Sequence, residues 1–271
     1  MDSRIKPYLI DSEPYYQPVG REVELFEAAY RCRIPMILKG PTGCGKTRFV
    51  EYMAWKLGKP LVTIACNEDL SAGDLVGRYL LDASGTVWHD GPLTTAVRYG
   101  AICYLDEVVE ARADTTVVIH PLSDDRRTLP LDRRGELIRA HSDFQLVLSY
   151  NPGYQSSAKD LKASTRQRFG ALDFHYPAPE IEVAIVVRET GLDRAIAQSL
   201  VNVASASRGL NVSGAFESIS TRMLVRAAAL IVDGVEVKAA CRMALIQPAS
   251  DDDDVLQSLQ GFVDAHFGID A

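Results

Sequence analysis

Eight residues, Gly40-Pro41-Thr42-Gly43-Cys44-Gly45-Lys46-Thr47, constrain this chain more than any other stretch. They satisfy G-x-x-x-x-G-K-[ST] at every fixed position, a pattern whose chemistry needs a strand before it and a helix after it. Both neighbours fit. Residues 34–38 form a short apolar run that reads as a buried strand, and residues 48–57 carry Phe49, Val50, Met53, Ala54 and Leu57 at helical spacing. Glycines let backbone N–H groups turn inward on phosphate oxygens, and the helix N-terminus adds partial positive charge. In such a loop Lys46 reaches the β- and γ-phosphates of a nucleotide and the Thr47 hydroxyl holds Mg²⁺. The competing reading is a Gly-rich turn that binds nothing, and a full match in the right context leaves it little room.

The second landmark is Ala101-Ile102-Cys103-Tyr104-Leu105-Asp106-Glu107, an apolar run ending in two acids. A buried parallel strand delivers both carboxylates at its C-terminal edge, where open α/β sheets bind ligands. Asp106 then holds the Mg²⁺ shell through water, and Glu107 polarises the attacking water. A strand running into a helix N-terminus would also favour acids there. The phosphate loop upstream tips the balance to the chemical reading. Asn151, after the apolar run 144–149, stands at another strand end. From local sequence alone it reads first as a turn former before Pro152.

Around these landmarks the chain reads as alternating strands and helices. Helices are expected at 21–30, 69–75, 91–98, 111–122 and 158–165, and further strands at 60–65 and 171–174. Two hairpins interrupt the alternation, one over 77–89 turning at 83–85, the other over 127–139 turning at 132–135. Pro177 and Pro179 mark a boundary, beyond which 180–189, 194–207, 220–233, 235–245 and 255–267 are all helical in spacing. The domains are therefore 1–176 (nucleotide-binding, α/β) and 177–271 (all-helical). A chain of 271 residues with 47% hydrophobic content can bury both cores.

Charge and cysteine usage narrow the partners. With 29 basic against 36 acidic residues the chain is a poor general binder of nucleic acid. No apolar run approaches the roughly 20 residues of a membrane span, and the first residues lack an apolar signal core. The five cysteines are scattered without a C-x-x-C pair, as reduced thiols are. The expected location is cytoplasmic.

The assembled elements resemble the AAA+ ATPases and, with both hairpins, the MoxR branch and its CbbQ/NorQ type. Carriers of the resemblance are Gly40 to Thr47, Gly77-Arg78, Gly85-Thr86-Val87-Trp88 through Asp90-Gly91-Pro92-Leu93, Leu105-Asp106-Glu107, Tyr150-Asn151-Pro152-Gly153 and Ser164-Thr165-Arg166-Gln167-Arg168-Phe169. The family implies a P-loop α/β domain with a central parallel sheet, a helix-2 insert hairpin, a pre-sensor-1 hairpin and a helical lid. It implies an ATPase using ATP and Mg²⁺ in a homo-oligomeric ring, usually a hexamer, with both hairpins lining a pore. Asn151 takes the sensor-1 position and Arg222 the sensor-2 position. Arg168 aligns best with the arginine finger that acts on a neighbour's nucleotide, and Arg166 is the alternative. The resemblance implies two client systems. CbbQ-type proteins act with a CbbO partner bearing a von Willebrand-A domain to free Rubisco of tight-binding sugar phosphates. NorQ-type proteins act with NorD in maturing a nitric oxide reductase. Overall resemblance favours the Rubisco branch. The second hairpin also carries Arg126, Arg127, Arg133, Arg134 and Arg139, which raises a nucleic-acid motor as a contrasting class. Interleaved acids and the lack of a stacking aromatic on that hairpin speak against it. No guanine-specifying N-K-x-D is present.

Overall fold

The computed structural model describes residues 2–82, 85–152, 161–209 and 218–268. The chain divides into two compact units, residues 1–40 with 46–174, and residues 175–271, with which Pro41–Gly45 groups.

In chain order the first unit runs α1 (Glu22–Cys32), β1 (Met36–Lys39), α2 (Lys46–Leu57), β2 (Leu61–Ala65), α3 (Ala72–Val76), β3 (Gly77–Asp82), β4 (Gly85–Asp90) and α4 (Pro92–Tyr99). It continues through β5 (Ile102–Asp106), α5 (Ala113–Ile119), β6 (Thr128–Leu131), β7 (Glu136–Arg139), β8 (Gln145–Tyr150), α6 (Ala163–Arg166) and β9 (Gly170–Asp173). Five strands form one parallel sheet in the order β2-β5-β8-β1-β9. All six residues of β8 are buried, and so are the first four of β5. That is why these strands read as unbroken apolar runs rather than alternating ones. On one face Phe26 of α1 and Phe49, Val50 and Met53 of α2 are fully buried, and the Phe49 ring lies 5.5 Å from Phe26 and 5.2 Å from Phe174. A second cluster gathers Leu75, Leu93, Val97, Ile119 and Leu129 with Cys103, Leu105 and Leu148 from the strands. Because every strand points the same way, the phosphate loop, Asp106 and Asn151 all leave the sheet at one edge.

Both hairpins form. In β3–β4 Tyr79 faces Trp88, and in β6–β7 Leu129 faces Ile138 across a turn closed by Gly135 at φ 65°. Residues 83 and 84 of the first expected turn lie outside the described residues. Gly77 anchors the root of the first hairpin at φ 129°, where a Cβ would sit 2.4 Å from the His89 carbonyl oxygen and 2.7 Å from the Trp88 ring. A side chain has no room there, and the backbone region favours glycine.

The sequence reading needs three local corrections. Strand β1 starts at Met36 rather than 34, because Pro35 has no N–H for the ladder and only its carbonyl joins in, accepting from Gly170 N–H. The helix expected over 111–122 is cut to α5 between two 3-10 turns, since Arg112 is extended and Pro121 cannot continue an α-helix. Of the helix expected over 158–165, the described part is helical only from Ala163, with Leu161 buried and non-helical, and 158–160 lie outside the described residues.

The second unit holds α7 (Pro179–Thr190), α8 (Arg194–Arg208), α9 (Thr221–Val232), α10 (Val237–Cys241) and α11 (Asp253–Phe267) around its own core of Val186, Leu200, Val201, Leu224, Ala228, Leu245 and Leu259. Helices α8 to α11 are capped by side chains of Asp193, Ser220, Glu236 and Asp252, each accepting from N–H groups of the first turn, whereas α7 starts on Pro179. After α10 the helix widens to a π-turn over Arg242–Ile246, which carries Ala244, Leu245 and Ile246 all into the core. No helix among the described residues is long and apolar enough to cross a membrane.

Candidate active site

Lys46 opens α2 and is buried, with 6% of its surface exposed. Its ammonium donates at 2.7 Å to the Gly40 carbonyl and at 2.7 Å to Asn151 Oδ1. Asn151 gets there because β8 is the direct neighbour of β1, so the residue after β8 lands beside the loop after β1. The Asn151 side chain also lies close enough to the Glu107 carboxylate to favour its charged form. The sheet order thus joins Lys46, Asn151 and Glu107, residues 105 apart at the extremes. Gly40 leaves β1 where a Cβ would meet the Phe174 carbonyl oxygen at 2.3 Å, so only glycine fits the start of the loop.

Asp106 is held by two residues that sequence reading did not single out. Tyr104 Oη donates to its Oδ1 at 2.7 Å, and Ser149 Oγ donates to the same oxygen at 2.5 Å. The other oxygen, Oδ2, faces the Thr47 hydroxyl at 3.5 Å, the outer limit of a hydrogen bond. A carboxylate oxygen and a hydroxyl, both held in place, make an all-oxygen pair that fits a hard divalent cation such as Mg²⁺. Burial, and then the Asp106 charge, push the Tyr104 phenol well above its ordinary pKa, so it stays a donor to that carboxylate.

Glu107 adopts a left-handed backbone at φ 55°, unusual for a residue with a side chain. Its N–H donates to Ser149 Oγ at 3.1 Å, so one serine holds both acids of the pair. Such strain persists where surrounding bonds over-determine it, and it turns the chain sharply as β5 ends. Burial raises the Glu107 carboxyl above the ordinary glutamate range, with Lys46 opposing and Asp106 adding to the rise. A carboxylate so tuned is a better proton acceptor than a free one.

The arginines come from α6, the turn that follows it and α9. Arg168 is exposed and donates to Asp124 Oδ2 at 3.0 Å, an oxygen it shares with Arg126 at 2.6 Å. Arg166 ends α6 and is exposed. Arg222 is exposed in the first turn of α9, in the unit that also holds Pro41–Gly45. A Cβ built on Gly43 would lie 2.6 Å from Ser220 Oγ and 3.3 Å from Arg222 Cβ, so the start of α9 abuts the phosphate loop. On the hairpins, Trp88 is half-buried and its indole N–H donates to Asp90, whereas Tyr79 is 47% and Leu81 83% exposed. Three of the five arginines of the second hairpin are engaged locally. Arg126 binds Asp124, Arg134 binds Glu136, and Arg127 is turned inward to donate to the Phe144 carbonyl at 2.7 Å.

Comparison with known proteins agrees with this architecture at two levels. Residues 35–169 match the AAA domain of the dynein-related subfamily. A Thermotoga maritima RuvB mutant superposes with a TM-score of 0.55 over 90% of this chain and 68% of that one at 16% identity, a likeness of fold alone. The chain is thus an AAA-type protein, of a class built to bind nucleotide. Residues 182–266 match the CbbQ/NirQ/NorQ C-terminal domain. Protein CbbQ of Hydrogenophilus thermoluteolus is 66% identical over 96% of this chain and 97% of its own length, and NorQ of Paracoccus denitrificans is 57% identical over 94% of each. The chain belongs to the CbbQ/NirQ/NorQ family of AAA+ ATPases.

Proposed function

We propose that this protein is the ATP-hydrolysing subunit of a ring, which acts with a CbbO-like partner bearing a von Willebrand-A domain to remodel inhibited Rubisco and release tight-binding sugar phosphates. The observation that carries this reading is the likeness to a CbbQ, 66% identical over 260 residues, against 57% over 255 for NorQ. Glu107 takes the proton of the water that attacks the γ-phosphate, and its raised pKa suits it to that task. Lys46 exchanges its contacts with Gly40 and Asn151 for phosphate oxygens, which releases Asn151 to report whether the γ-phosphate is present. Thr47 and Asp106 would hold Mg²⁺, which when bound offsets charge on the transferring phosphoryl group. Arg222 from the helical unit and Arg168 from a neighbouring subunit neutralise the rest, with Arg166 the alternative finger. Loss of these contacts on hydrolysis biases the helical unit and the hairpins, because their contacts differ between the two nucleotide states.

The same motifs serve a NorQ-like maturation chaperone, and the 57% identity to NorQ keeps that client in view. A nucleic-acid motor is disfavoured by the acids interleaved on the second hairpin and by the local engagement of Arg126, Arg127 and Arg134. The test is recovery of sugar-phosphate-inhibited Rubisco by the purified protein with the CbbO-like subunit of its own genome. Recovery that needs both ATP and the partner is the expected result. Persistent inhibition despite ATP hydrolysis would move the client to a metalloenzyme such as nitric oxide reductase.

A further inference from the structure

The helical unit contains a buried ion pair that neither its packing nor the phosphate chemistry requires. Glu182 of α7 is 0% exposed, and Arg208 at the end of α8 grips it with two bonds of 2.8 Å. Burying two charges costs several kcal/mol before their attraction is counted, and apolar residues of similar volume would stabilise a helical core at least as well. The best-attested use of such a pair is to fix register.

What is fixed here is the start of α9. Arg208 Nε and Nη2 both donate to the Ile219 carbonyl, at 3.0 and 2.8 Å. Ser220 caps the helix through Met223 N–H, and the Thr221 hydroxyl donates to Glu182 Oε1 at 2.6 Å. Three consecutive residues are therefore pinned, and the next one is Arg222. A second arm leaves the same guanidinium, which lies 3.9 Å from the Tyr176 ring centroid, while the Tyr176 hydroxyl donates to the Thr42 carbonyl at 3.1 Å. Every residue named belongs to the unit that also includes Pro41–Gly45.

We infer that Glu182, Arg208, Thr221 and Tyr176 form a positioning cluster that sets Arg222 against the phosphate loop, with Arg208 as the node between loop and arginine. The inference rests on the proposed contact of Arg222 with the γ-phosphate. It explains why so costly a pair stands at this point: a sensing arginine needs its Cα fixed relative to the loop, and a greasy contact would let the helix start slide.

The experiment compares ADP and ATPγS dissociation constants, and melting temperatures, for the full-length protein and for Arg222→Ala, Thr221→Val, Tyr176→Phe and Thr221→Val/Arg222→Ala. Arg222→Ala should lower the preference for ATPγS about 5–10-fold, within the usual range of coupling between sites. Thr221→Val, which removes one hydroxyl at constant shape, should reproduce most of that loss, and the double variant should be no worse than Arg222→Ala. Tyr176→Phe should lie between wild type and Thr221→Val. A Thr221→Val protein that melts lower but keeps its preference for ATPγS would make the cluster mere packing and overturn the inference alone. An unchanged preference in Arg222→Ala would overturn the role of Arg222, and the inference with it. Glu182→Gln adds a harsher probe, but the milder two decide the matter if it fails to fold.

Discussion

Ser149 is the residue on which the acid pair turns. Its hydroxyl donates to Asp106 Oδ1 and accepts from Glu107 N–H, so Ser149→Ala removes one of the two donors to that carboxylate and loosens the strained turn together. Supporting contacts of this kind are worth roughly 10–100-fold when lost. We expect kcat for ATP to fall by about that factor in Ser149→Ala, with nucleotide binding little changed in a titration. Glu107 makes a second prediction through its raised pKa. A carboxyl raised in the folded state takes up a proton at higher pH than a free glutamate, so its base form is lost earlier as pH falls. The acid limb of the kcat/KM–pH profile, which reports the free enzyme, should therefore lie above the ordinary glutamate value of 4.5. For the same reason the ionised carboxylate costs folded stability above that range, a cost relieved as pH falls. Glu107→Gln should accordingly melt higher than wild type at neutral pH and lose that advantage near pH 4. The sequence announced Lys46, Thr47, Asp106 and Glu107, because each sits in a local pattern. It was silent on Ser149 and Tyr104. Both are strand residues that read as core, and what they touch depends on the pairing of β5 with β8, which no local spacing encodes.

At the level of elements, the two hairpins were legible because glycines and turn residues punctuate them, and Pro121, which ends α5, is a local signal of the same kind that the expected helix over 111–122 ran past. Gly77 shows why the punctuation is physical. Its φ of 129° and the 2.4 Å approach of the His89 carbonyl leave no place for a methyl group. Gly77→Ala should destabilise the protein by about 1–3 kcal/mol, the usual range for strain at a special backbone position. Its Trp88 emission, read in a Trp55→Phe background, should shift as the ring leaves its packed position. Unchanged melting and emission would mean that the hairpin root tolerates a side chain. The two hairpins also meet through α4, where Arg98 lies 2.9 Å from Asp90 of β4 and 2.8 Å from Glu136 of β7. The buried Glu182–Arg208 pair was invisible for the same reason as Ser149: its partners are 26 residues apart and nothing local links them.

At the scale of the assembly, the proposed arginine finger requires a neighbouring subunit. Arg168 lies on an exposed surface with Asp124 as its partner in the same chain, a placement that suits a side chain presented to a neighbour. Arg168→Ala should bind nucleotide normally but lose turnover by roughly 10³-fold or more, as finger deletions do. If Arg166→Ala is the inactive variant instead, the finger lies at the last residue of α6. In the proposed mechanism Glu107 is the group that activates water for ATP hydrolysis. The most direct measurement sets Glu107→Gln beside wild type for ATP affinity and for steady-state phosphate release in the presence of Mg²⁺. ATP binding should stay within a few-fold of wild type and hydrolysis should slow by roughly 10²–10⁴-fold, the usual worth of a positioned general base. Wild-type turnover in that variant would contradict this role of Glu107.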